Sequence, residues 1–195
     1  MNLAERIYYT FQESAQAKLS AADILAEPIA QAAERLVACF MSEGKLLACG
    51  NGASAADAQH FVSELINRFE RERPALAALA LSGDSATLTS IADDSDFSMV
   101  FARQIGALGQ PGDMLLAIST NGCSRNVIEA ARVAQEREVA VIALAGQDGG
   151  ELAEMLTERD ILICVPGDSM ARIQEIHQLA LHCLCDSIDY LLLGA

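Results

Sequence analysis

Apolar residues recur at intervals of three and four over residues 3–19 and again over 22–42, where Ile29, Ala32, Ala33, Leu36, Val37 and Phe40 form a stripe. That period predicts two leading helices, with Pro28 marking an irregularity near the start of the second. The pattern changes at Lys45. Short runs at 46–49, 76–81, 114–118, 139–144 and 160–165 have the length of buried strands, and each is followed by a polar or Gly-bearing turn. Helical spacing follows at 54–68, from Gly83-Asp84-Ser85 onward, at 97–108, up to about Gln135, near 152–156, and from Ala171 to about Leu193. Strands alternating with helices predict an α/β fold. Its core is a five-stranded parallel sheet covered on both faces, which binds ligands at the carboxyl ends of its strands. Neither repeats nor linkers interrupt the chain, so one domain is expected over 1–195, with leading helices at 1–42 and the α/β core at 45–195.

Composition narrows the function classes. An apolar fraction of 52% over 195 residues supplies one sizeable core. A formal net charge of -14 argues against a direct grip on nucleic acid or an anionic membrane surface, since either needs a cationic face. Any phosphate must be held by local amides, hydroxyls and dipoles. The amino terminus lacks a basic region followed by an apolar signal core, and no apolar run approaches the ~20 residues of a membrane span. A cytoplasmic protein with reduced cysteines is expected. Cys183 and Cys185 lack the spacing of a zinc-binding pair.

The chemistry gathers at residues 45–64. Gly50 and Gly52 let the chain turn sharply after the first strand, and Ser54 stands where it can cap the next helix, whose first amides attract phosphate. Farther along that helix His60 and Glu64 stand at i and i+4, about 40° apart around the axis, as an acid/base or metal pair does. The third strand runs into Ser119-Thr120-Asn121-Gly122-Cys123-Ser124, with Ser124 in a capping position, and repeats the logic of the first turn. Two such turns in one sheet favour a shared anion site. Asp93-Asp94-Ser95-Asp96 is a run of acids at a helix end, able to accept hydrogen bonds from ligand hydroxyls. The charged segment 70–74 reads as a solvated loop. On the last helix Gln174 and His182 fall about 80° apart and can face one pocket, whereas His177 points elsewhere. On spacing alone His182 reads as a hydrogen-bonded core histidine.

The segments Gly-Asn-Gly-Ala-Ser at 50–54, Ala-Ile-Ser-Thr-Asn-Gly at 117–122, Gln147-Asp148-Gly149-Gly150-Glu151 and Ala171-Arg172-Ile173-Gln174-Glu175-Ile176-His177 resemble the sugar isomerase (SIS) domain family. More narrowly they resemble its phosphoheptose isomerases, over nearly the whole chain. The resemblance implies a flavodoxin-like SIS fold in a homotetramer with active sites at subunit interfaces. It also implies conversion of sedoheptulose 7-phosphate to D-glycero-D-manno-heptose 7-phosphate through an enediol, for ADP-heptose and lipopolysaccharide core synthesis. The family's metal set falls on His60, Glu64, Gln174 and His182, whose chemistry suits zinc if Gln174 ligates through its amide oxygen. Its sugar phosphate contacts fall on Asn51, Gly52, Ala53, Glu64, Asp93, Asp94, Ser119, Thr120, Asn121, Ser124 and Gln174. Its catalytic pair falls on Glu64, as base, and His182, as partner acid/base.

Several positions depart from the family pattern. Ala53 replaces Gly, Asp93 replaces Asn, Asn121 replaces Ser, Cys123 stands where Asn is common, and Ala171 stands where some members carry Asp. A related branch of SIS proteins associates with the replication initiator DnaA and has no known sugar chemistry. Arg125 and the segment 183–186 are similar to that branch. Retention of Glu64 and His182 favours the enzyme over the initiator-binding alternative. A sugar phosphate sensor is disfavoured because no basic DNA-binding module accompanies the domain.

Overall fold

The computed structural model describes residues Met1–Gly194. Five strands, β1 (Leu46–Gly50), β2 (Ala78–Ala80), β3 (Met114–Ser119), β4 (Ala140–Gly146) and β5 (Ile161–Val165), form one sheet of order β2-β1-β3-β4-β5. Every pairing is parallel. This is the flavodoxin-like order, whose direction of winding reverses between β1 and β3. The α/β fold read from the sequence is the fold observed.

Seven α-helices cover the sheet: α1 (Leu3–Met41), α2 (Ala53–Ile66), α3 (Ser85–Asp94), α4 (Ala102–Leu108), α5 (Arg125–Glu136), α6 (Gly150–Glu154) and α7 (Met170–Leu193). Strand alternation splits the core into two layers. Leu46, Ala48, Leu116, Ile118, Ile142, Leu144 and Ile163 pack on α1, α2 and α7. Leu47, Cys49, Leu115, Ala117, Val141 and Ala143 pack on the opposite side, against α4 and α5. Burial on both faces explains why β1, β3 and β4 read as continuous apolar runs, whereas the edge strands β2 and β5 are only partly buried.

The expected pair of leading helices is one continuous helix of 39 residues. Residues 20–23 are Ser-Ala-Ala-Asp, none of which must break a helix, so nothing local ends the first segment. Pro28 removes one backbone hydrogen bond, but Ala21, Leu25, Ile29, Ala32 and Leu36 continue a buried stripe through it. Packing against α7 and β5 offsets the lost rung. An Asn2–Glu5 capping box closes the start of α1.

At the amino ends of the strands, buried Asp113 accepts from the Lys45 amide at 2.9 Å, from Lys45 Nζ at 2.5 Å and from the Gln110 amide at 2.9 Å. It ties β1 to β3 on the side away from the candidate site. All six cysteines are free. Among the described residues no helix is long and apolar enough to cross a membrane.

Candidate active site at the switch point

The turns that follow β1 and β3 leave neighbouring strands, with Gly50 paired to Ile118. A Cβ on Gly50 would lie 2.7 Å from the Ser54 carbonyl oxygen, so only glycine lets α2 begin this close to the strand end. Gly52 caps α2 with φ of 56° and without a side-chain hydrogen bond. Ser54 does not cap, contrary to expectation. It lies inside the first turn of α2 and is buried, so its hydroxyl is not at the open end. Ser124 does occupy the cap position of α5, yet it makes no cap bond, because its hydroxyl accepts from Ser119 Oγ at 3.0 Å.

The turns are joined by a contact that sequence reasoning missed. Asn51 and Asn126 exchange two amide hydrogen bonds, each 2.8 Å, and Asn126 is only 3% exposed. A polar residue at the second position of a helix with an otherwise apolar inner face was the available signal. Asn121 Oδ1 accepts from the Cys123 amide at 3.1 Å, which shapes the second turn. The amides of Gly52 and Ala53 in one turn, and of Ser124, Arg125 and Asn126 in the other, have no acceptor among the described residues. Such a pair of helix starts offers donors and positive dipole ends to an anion. Thr120 is half-buried beside them, whereas Asp93 and Asp94 stand exposed at the end of α3 with no partner among the described residues. Asp96, two residues on, holds its carboxyl below the usual range by accepting from Ser98, with a smaller contribution from the Arg125 guanidinium.

The imidazole and carboxylate groups that the family resemblance joins lie together, and His182, which spacing alone read as a core histidine, is only partly buried. His60 and His182 face each other with Nε2 atoms 3.3 Å apart, and Glu64 Oε1 lies 3.8 Å from His60 Nδ1. Phe69 stacks at a tilt against His182, with ring centroids 5.6 Å apart. Gln174 is not drawn into this group. It lies about 12 Å along α7 from His182 and bonds to none of the three. His177 is the core histidine of the helix: fully buried, it donates from Nε2 to the Ala145 carbonyl at 2.9 Å, and burial holds its pKa down.

A tetrahedral zinc with Zn–N bonds of about 2.0–2.1 Å separates two imidazole nitrogens by roughly 3.3–3.4 Å. The Nε2 pair matches that edge. Glu64 Oε1 faces the far nitrogen of His60 at 3.8 Å, longer than a hydrogen bond, and lies off the Nε2 pair. Among the described residues no group of three or more His, Cys, Asp or Glu side chains is assembled to hold a metal.

The charged loop expected at 70–74 is solvated only in part. The Arg73 side chain is buried and paired with Asp189 of α7, which the local run of charges could not reveal.

The sequence pattern of the SIS domain family matches residues 10–146. Phosphoheptose isomerase of Azoarcus sp. (strain BH72) is 61% identical over 194 residues, an alignment that covers 100% of this chain and 98% of that protein. The structure of phosphoheptose isomerase GmhA from Neisseria gonorrhoeae superposes with a TM-score of 0.92 at 51% identity, over 96% of this chain and 99% of that one. A phosphoheptose isomerase structure from Francisella tularensis gives 0.93 at 48% identity, over 97% and 99%. With its switch-point turns and its paired imidazoles, the chain belongs to the SIS domain family and, within it, to the phosphoheptose isomerases, enzymes that isomerise sugar phosphates.

Proposed function

We propose that the substrate is sedoheptulose 7-phosphate and the product D-glycero-D-manno-heptose 7-phosphate, supplied to ADP-heptose and lipopolysaccharide core synthesis. The observation that carries this reading is the meeting of His60 and Glu64, on the helix that also opens the phosphate cradle, with His182 of α7. His60 stands seven residues from Ala53, about 10 Å along the axis, which is within reach of an open-chain sugar phosphate anchored at the helix start. The free amides and the Thr120 and Ser124 hydroxyls hold the phosphate. Glu64 moves the proton between the two adjacent carbons, and His182 relays the hydroxyl proton at oxygen. Glu64, turned away from the Nε2 edge, is free to act as base.

Zinc would be held by the Nε2 atoms of His60 and His182, which would leave Nδ1 of His182 for the hydroxyl proton and the Glu64 carboxylate for the carbon proton. When bound it supplies a Lewis acid that polarises the substrate carbonyl. Leu3, Ile7, Tyr8, Phe11 and Leu19 stand exposed on the first half of α1, an apolar surface of the kind that subunits cover. The homotetramer implied by the family is proposed to form through it. The initiator-binding alternative is not favoured by the relatives described above, all of them phosphoheptose isomerases.

Turnover of sedoheptulose 7-phosphate by purified protein, with and without added zinc, tests the reading against Glu64→Gln. The expected result is activity that falls by about 10²–10⁴-fold in the variant. No turnover under any metal condition would overturn the substrate assignment.

A further inference from the structure

Arg73 follows α2 in a segment rich in charge, yet its side chain is 1% exposed. The guanidinium spends its donors on two helices. Nε donates to Asp189 Oδ1 of α7 at 2.7 Å. Nη2 donates to the Glu64 carbonyl and Nη1 to the Leu65 carbonyl, each at 2.7 Å, with a longer bond from Nη1 to the Pro74 carbonyl at 3.1 Å. Those α2 carbonyls lie in the last turn of the helix, where they lack intrahelical partners and the dipole end is negative. Asp189 stands seven residues beyond His182, within about 20° of it around the axis of α7. One buried cation therefore ties the backbone of Glu64 to the face of α7 that carries His182.

We propose that Arg73 is a positioning residue: it fixes the spacing of α2 and α7 at which Glu64 and His60 meet His182, and it does not touch the sugar phosphate. This rests on the isomerase reading of those three residues. The planar fork matters, since one ammonium cannot reach two carbonyls and a carboxylate in fixed directions. Asp189 Oδ2 is buried without a partner, so among the described residues Arg73 alone hydrogen-bonds that carboxylate. The phosphate cradle lies at the opposite end of α2 and is left intact.

The test compares wild type, Arg73→Met and Arg73→Lys with Asp113→Ala, which breaks the Lys45 ion pair at the far end of the sheet. All are assayed where circular dichroism shows them folded. Arg73→Met is expected to lose about 30–100-fold in kcat, the scale of a misplacement near 1 Å, with KM changed less than about threefold. Arg73→Lys recovers only part of the loss. Asp113→Ala, though destabilised by a comparable mechanism, keeps kcat within about threefold of wild type. A second arm titrates each protein with Co2+ alone, and Arg73→Met is expected to bind it at least about tenfold more weakly because the imidazoles are no longer in register. A wild-type chain without turnover removes the isomerase reading and leaves the Co2+ arm to judge the clamp. Arg73→Met with the kcat of the Asp113 control, or with wild-type Co2+ affinity, overturns it.

Discussion

His177 and His182 lie five residues apart on α7 and meet opposite environments. His177 is sealed against the end of β4 with one ring nitrogen unpartnered, and burial drives its pKa below the usual value near 6.5. The folded state therefore holds it neutral. Below about pH 6.5 the unfolded chain takes up a proton that the folded chain refuses, so this contribution to stability is complete above that pH and declines as pH falls toward the folded value. Urea midpoints at pH 7.5, 6.5 and 5.5 should drop with acid more steeply for wild type than for His177→Gln, which keeps the donor to Ala145 and does not titrate. Asn126 is the residue-scale support of the cradle. Asn126→Ala strips Asn51 of its reciprocal partner and should cost about 1–2 kcal/mol in urea unfolding, with a raised KM. Neither role was legible in the sequence. His177 could be placed away from His182 by helical angle, but the carbonyl that satisfies it comes from a strand 32 positions away.

At the scale of elements, the strands were the most legible feature, because apolar runs too short for a helix and bounded by turn residues mark strands, above all the central three that are buried on both faces. The hydroxyl caps were not. Ser119 and Ser124 choose each other, a choice fixed by the meeting of β3 and α5 rather than by either local sequence. Arg73 was misread for the same reason, its partner Asp189 being 116 residues distant. The turn after β3 also leans on the turn after β4. Gly122 has φ of 66°, and a Cβ there would sit 1.7 Å from the Gly149 carbonyl oxygen. Gly122→Ala combines a left-handed backbone with a collision against main chain, and should destabilise by about 3–5 kcal/mol. Its KM for sugar phosphate should rise as the two turns separate, which kinetics on the folded fraction would detect.

Across the whole molecule, α1 read as two helices because the apolar period lapses near residues 20 and 21, a gap that packing along the whole helix overrides, with Pro28 an irregularity inside it. Its exposed apolar first half carries the assembly expectation. Leu3→Glu/Phe11→Glu should shift the sedimentation profile to smaller species while leaving each subunit folded, because neither residue belongs to the core. The cradle at the switch point has a further consequence when set against the charge of -14. Its donors are amides and hydroxyls whose attraction dies away within a few ångströms, whereas the repulsion of a dianion by the acidic surface reaches across a Debye length, about 30 Å at 0.01 M ionic strength and 8 Å at 0.15 M. Capture of substrate is thus a short-range event behind a long-range barrier, and salt, which weakens most enzymes' hold on phosphate, should here quicken the approach.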